Sequence, residues 1–138
     1  MAHELAFDAM HDYSSAPGTD GITLPIVLST GHRLVNLTAS VDTGASCCIF
    51  KRGYGEALGL DVESGTLTSF RTVTGTFETY GHVVTLAMLD LSFEAMVYFT
   101  KDENYTRNVL GRRGWLDQLR IGIIEYESKL YLSRYDEP

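Results

Sequence analysis

Hydrophobic and polar positions alternate along much of this chain with the two-residue period of strands that bury one face. The run Leu34-Val35-Asn36-Leu37-Thr38-Ala39-Ser40-Val41 has this pattern. Ile22–Ser29 and Arg33–Val41 read as two strands joined at Thr30-Gly31-His32, a β-hairpin. Cys47–Phe50 is a further short apolar strand, and Tyr54–Leu58 can form a brief helix stopped by Gly59. Thr66–Val73 and Thr76–Tyr80 flank Thr74-Gly75, a turn that suits a tight hairpin. Its arms are rich in threonine and too polar for a central core, so this hairpin is expected to project and move. His82–Leu89 and Leu91–Phe99 are the most apolar strands and are expected to form the main sheet. Lys101–Asn108 reads as a polar loop, Trp115–Leu119 as a short helix, and Arg120–Tyr126 and Lys129–Arg134 as final strands. The pattern predicts an all-β domain over residues 22–135 with one or two short helices. Residues 1–21 are polar and turn-rich, and are expected as an N-terminal tail or an arm that wraps a partner.

Composition narrows the function. A chain of 138 residues, 44% hydrophobic and 21% charged, suits one domain with one core. A net charge of −7 argues against nucleic acid, which requires basic surface to offset phosphate. The apolar stretches are strand-sized, far short of a membrane span, so no membrane partner is expected. Residues 1–10 lack the basic and apolar regions of a signal peptide, and the expected location is cytoplasmic. Cys47 and Cys48 are neighbours and the sole cysteines, which excludes a disulfide framework and a four-cysteine zinc set. They read as two buried thiols in a reducing compartment. His3, His11, His32 and His82 show no metal-ligand spacing and read as surface or edge residues. No metal and no cofactor are expected.

The best candidate for chemistry is Val41-Asp42-Thr43-Gly44-Ala45-Ser46, an acid on a tight turn at the end of a strand. Gly44 lets backbone and substrate come close there. A single aspartate cannot readily hydrolyse a peptide bond, because the reaction needs a base for water and an acid for the carbonyl. Two carboxylates about 3 Å apart cannot both ionise, so they share a proton and supply both roles. Asp-Thr-Gly occurs once in the chain. The simplest source of a second carboxylate is a two-fold homodimer with Asp42 of each copy on the axis.

Three motifs in this order, Asp42-Thr43-Gly44 with its flanks, the Thr74-Gly75 hairpin, and Val109-Leu110-Gly111-Arg112, resemble the retroviral-type (retropepsin-like) aspartic proteases. The cellular and bacterial single-lobe members are the most similar, and the likeness covers residues 22 to 126. The resemblance implies a closed or orthogonal β-barrel of the single-lobe acid protease type. It also implies an aspartic endopeptidase that acts as a homodimer on extended polypeptide substrates. Asp42 would be the catalytic carboxylate, and Thr43 would bond the equivalent loop of the second copy. Gly44 would contact the peptide through its backbone, and Ala45 matches the retroviral form. Val73, Thr74, Gly75 and Thr76 would form the flap over substrate. Leu110 and Gly111 would pack beneath the active-site loop, Arg112 would brace it, and Val41, Phe77 and Val109 would line pockets. The sequence departs from the retroviral pattern at Ser46, where those enzymes carry an acid that pairs with their arginine. It departs again in ending with two strands instead of one.

Plainer readings stand beside these. Asp42 can serve simply as a turn carboxylate that holds the amides of Thr43 and Gly44. Thr74-Gly75 can be an ordinary surface hairpin, Arg112 and Arg113 solvated charges, and Trp115 a core plug. The alternative function is a catalytically weak or inactive peptide-binding dimerisation module on the same fold. A small β-barrel ligand binder with an incidental Asp-Thr-Gly is a third.

Overall fold

The alternating strands close on one another. In this computed structural model, which describes residues 1–14 and 21–136, β2 (Thr23–Thr30) pairs antiparallel with β3 (Arg33–Val41), in register from Thr23↔Ser40 to Thr30↔Arg33. The long β6 (Gly75–Met88) pairs antiparallel with β7 (Leu91–Thr100) and also with β2, through Val27↔Ala87, Leu28↔Leu86 and Ser29↔Thr85. Two short strands complete the circuit. β8 (Val109–Leu110) runs parallel to β3 and antiparallel to β4 (Ile49–Phe50), and β4 runs parallel to β7. Pairing therefore passes from β2 through β3, β8, β4, β7 and β6 back to β2. Closure leaves no free edge within that ring, the usual way a small all-β protein avoids edge pairing. β5 (Thr66–Thr72) lies outside it, paired only with β6.

Strand alternation builds the core. In β7, Phe93, Ala95, Val97 and Phe99 point inward while Ser92, Glu94 and Met96 are exposed. Leu24, Leu28, Leu86, Val97, Phe99, Leu110 and Trp115 are fully buried against one another. The single α-helix among the described residues, α1 (Arg52–Ala57), follows β4, and Gly55 seats it: a Cβ there would lie 3.0 Å from Phe99.

A second sheet of three strands stacks β1 (Ala9–Asp12), β10 (Lys129–Arg134) and β9 (Leu119–Ile124). Part of the segment expected as a tail is thus a strand paired with this chain's own β10, from Ala9↔Leu132 to Asp12↔Lys129. Buried Tyr13 donates its hydroxyl to the Glu125 carboxylate, and the Phe7 ring lies 5.8 Å from Tyr131. A four-residue strand with two polar residues carries too little periodicity to be seen in the sequence. The turn-rich stretch Ser15–Asp20, also read as tail, lies outside the described residues.

Other boundaries moved for physical reasons. The two strands expected on either side of Gly81 are one strand, β6. Gly81 marks close packing instead of a break, since a Cβ there would meet the Tyr98 ring at 2.9 Å. The helix expected at Trp115–Leu119 is a single 3-10 turn, Leu116–Gln118, because Leu119 already begins β9. Trp115 is the core plug of the plainer reading, with no exposed surface. His82, expected at a surface or edge, is half-buried with Nε2 2.8 Å from the Val62 carbonyl oxygen. Among the described residues no helix is long and apolar enough to cross a membrane.

Burial sets the first expectation. Leu132→Ala, at a position with no exposed surface, should cost about 3 kcal/mol in urea unfolding. Leu34→Ala, at a position 61% exposed, should stay within about 0.5 kcal/mol.

Candidate active site

β3 ends at Val41, and the next residue is fixed on both sides of its peptide. The Asp42 N–H donates to the Leu110 carbonyl at 3.0 Å, and the Ala45 N–H donates to the Asp42 carbonyl at 3.2 Å. The Gly44 N–H donates to Asp42 Oδ1 at 2.9 Å, so the turn itself aims the carboxylate. The other oxygen, Oδ2, lies 3.8 Å from Nη2 of Arg107, with the Asp42 side chain 37% exposed. Asp42 is thus both the turn carboxylate of the plain reading and an oriented acid open to solvent.

Gly111 fixes the loop from below. A Cβ there would lie 2.2 Å from the Cys47 carbonyl oxygen and 2.8 Å from that of Ala45, so no side chain fits. The next two amides grip the same loop: Arg112 N–H donates to Ala45 O and Arg113 N–H to Ser46 O, each at 2.9 Å. Cys48 sits behind, accepting from the Gly111 N–H at 3.5 Å and donating to the Arg113 carbonyl at 3.7 Å. Burial pushes its thiol up to about 12, so it stays protonated and serves as packing. Leu110 and Val109 are buried in the same layer, and half-buried Val41 packs against the core.

Arg112 reaches the loop through its backbone. Its side chain and that of Arg113 are exposed and border a groove of about 500 Å³ with Thr43, Ser46, Leu116 and Asp117. Among the described residues neither guanidinium has an ion pair. The Asp117 carboxylate is taken by the Gly114 N–H at 3.0 Å and the Gln118 amide at 3.3 Å.

The hairpin of β5 and β6 is loose at its tip and anchored at its base. Val73, Thr74, Gly75 and Thr76 are exposed, and the hydrogen bonds of Thr72 to Thr74 and Gly75 are local. Gly75 has φ of +142°, a conformation L side chains rarely adopt. Lower down, Phe70 meets Phe77 at 5.9 Å and Tyr98 edge-on at 5.4 Å, and Phe77 stacks on Tyr105 at 5.2 Å. Only the upper part of the hairpin is therefore free to move as expected from its composition.

Tyr105 and Arg107 lie in the segment read as a polar loop and were not singled out in the sequence. Burial raises the Tyr105 hydroxyl, Arg107 opposes that, and Asp42 adds to it, so all three share one electrostatic neighbourhood. The signal was positional. The Ser40 N–H donates to the Asn108 carbonyl at 2.9 Å, so residues just ahead of β8 lie beside the end of β3.

The contact at Gly111 makes a stringent test. Gly111→Ala should destabilise the protein by about 3 kcal/mol or more, read by chemical denaturation, because backbone must move.

With this geometry in view, the sequence matches the aspartyl protease family over residues 29–113. The fold is similar to a retropepsin-like aspartic protease from Rickettsia conorii, with TM-score 0.59 and 17% identity over 80% of this chain and 89% of that one. It is also similar to EIAV protease complexed with the inhibitor HBY-793, with TM-score 0.54 and 18% identity over 71% of this chain and 88% of that one. No curated protein matches the sequence. The match spans more than half of the chain: this chain belongs to the aspartyl protease family, and its fold is of the retropepsin-like type.

Proposed function

We propose that two copies of this chain form the working endopeptidase, with Asp42 of each supplying half of a catalytic dyad. The observation that carries this reading is the state of Asp42. The carboxylate is oriented by the turn's own N–H and open to solvent, in a chain that contains a single Asp-Thr-Gly. A water held between the two carboxylates attacks the scissile carbonyl carbon. One carboxylate takes the water proton while the other protonates the carbonyl oxygen, giving a tetrahedral intermediate with no acyl-enzyme. Collapse of that intermediate passes a proton to the leaving amine and breaks the C–N bond.

The remaining parts have matching roles. Exposed Thr43 bonds the opposite loop and fixes the spacing of the dyad. Val73, Thr74, Gly75 and Thr76 form a flap that closes over an extended peptide paired as an added strand. Phe77 and Tyr105 give the flap's base an apolar wall. The working compartment is the cytoplasm, in keeping with two free, buried thiols.

The second reading, a peptide-binding dimerisation module without turnover, is favoured by one observation. The Asp42 carboxylate faces the Arg107 guanidinium, which holds an acid without activating water.

Turnover separates the two. Asp42→Asn should lower kcat on unfolded casein by about 10³-fold or more while leaving the circular dichroism spectrum unchanged. Equal cleavage by the purified mutant would refute the dyad. Activity per chain should fall on dilution below the dimer dissociation constant, and a constant value down to a demonstrably monomeric state would refute the shared site. The pH–rate profile should be bell-shaped, since one proton must be shared by two coupled acids.

A further inference from the structure

We propose that Arg107 is a specificity-determining residue that selects substrates bearing a carboxylate side chain next to the scissile bond. The proposal rests on the reading of Asp42 as catalytic. A cation 3.8 Å from Asp42 Oδ2 stands within reach of the residues that flank any bond cut there.

The Arg107–Asp42 pair is built to open. At 3.8 Å it is well beyond the roughly 2.7–2.9 Å of a formed charge-assisted hydrogen bond. Its side chains are 61% and 37% exposed, and pairs this open contribute about 0–1 kcal/mol. Both Asp42 oxygens already have a use, Oδ1 in accepting the Gly44 N–H and Oδ2 in facing the guanidinium. Among the described residues Arg107 has no other ion pair, so most of its five N–H donors are free for an incoming anion.

The charge balance gives this cation unusual weight. The chain carries −7 overall, so an acidic peptide is repelled at long range and gains only from local positive charge. That local charge is present at the loop: Arg107 faces Asp42, and Arg112 and Arg113, without ion pairs among the described residues, border the groove beside Thr43 and Ser46. A guanidinium resting on Asp42 also lies against an oxygen that a dyad must use. A substrate carboxylate that draws Arg107 away both binds and frees the catalytic acid. Such a residue discriminates by attraction to the right substrate and by obstruction of the wrong one.

The test is a cleavage map. A mixture of denatured-protein peptides is digested with wild type, Arg107→Ala, Arg107→Lys and Arg107→Glu, and the cut sites are read by mass spectrometry. Wild type and Arg107→Lys should cut with Glu or Asp enriched at a position flanking the bond. Arg107→Ala should lose that enrichment, and Arg107→Glu should exchange it for Lys and Arg. For a matched Glu/Gln peptide pair the wild-type preference in kcat/KM should be about tenfold. A reduced-amide version of the same pair, which cannot be cut, is then titrated into Asp42→Asn. With its internal competitor gone, Arg107 should favour the Glu peptide more strongly there than in wild type. Identical cut-site profiles for wild type and Arg107→Ala would overturn the inference while leaving the dyad intact. Undiminished cleavage by Asp42→Asn would overturn the dyad and is a separate result.

Discussion

The rest of the site depends on one backbone contact, Gly111 against the carbonyl groups of Ala45 and Cys47. β8 lies between β3 and β4, parallel to the first and antiparallel to the second. The loop that joins β3 to β4 is therefore tied to β8 at both ends. Its middle is held by the Arg112 and Arg113 amides. Such a clamp needs no particular side chain except the absence of one at residue 111. It leaves the Asp42 side chain partly open to solvent, already oriented by Gly44. Preorganisation of this kind costs nothing at the moment of reaction, which is where an acid–base site gains most.

That arrangement explains which features could be read in advance. Alternation along Arg33–Val41 and Leu91–Phe99 exposed the barrel strands, because each has one buried face and a period-two pattern follows. The Asp42 turn and the Val109-Leu110-Gly111 segment were legible as local motifs, since both depend on residue types at adjacent positions. The dependence between them was not, because parallel pairing of β3 with β8 joins residues far apart in sequence. Arg107 and Tyr105 were hidden for the same reason: a charged and an aromatic residue in a loop become notable only when β8 brings them beside Asp42. β1 was missed because its pairing with β10, rather than its own pattern, makes it a strand.

The hairpin shows how one element can be rigid and mobile at once. Its strong β preference forms seven register pairs from Thr66↔Gly81 to Thr72↔Gly75, yet burial changes sharply along it. Thr79 is fully buried and donates to the Thr68 carbonyl, while Val73 is fully exposed. Phe70 and Phe77 mark the boundary, resting on Tyr98 and Tyr105. Motion at low free energy is confined to segments with few buried contacts, and here that means the tip beyond this aromatic step. If the tip serves as the proposed flap, it can close on a peptide without disturbing the ring of strands.

Electrostatics then sets the conditions under which the site can work. One carboxylate alone is a poor catalyst of peptide hydrolysis, and Asp42 faces a cation, Arg107, at 3.8 Å. Bringing a second Asp42 alongside replaces the need for a counter-cation with a shared proton, because two adjacent carboxylates favour holding one proton between them. The two arrangements compete for the same oxygen atoms. The ion pair is long and exposed, so on the proposed dyad it yields readily to association of two copies, closure of a flap or an acidic side chain on the peptide. On the proposed reading, the positive charge beside Asp42 bears on both assembly and substrate choice through one weak contact.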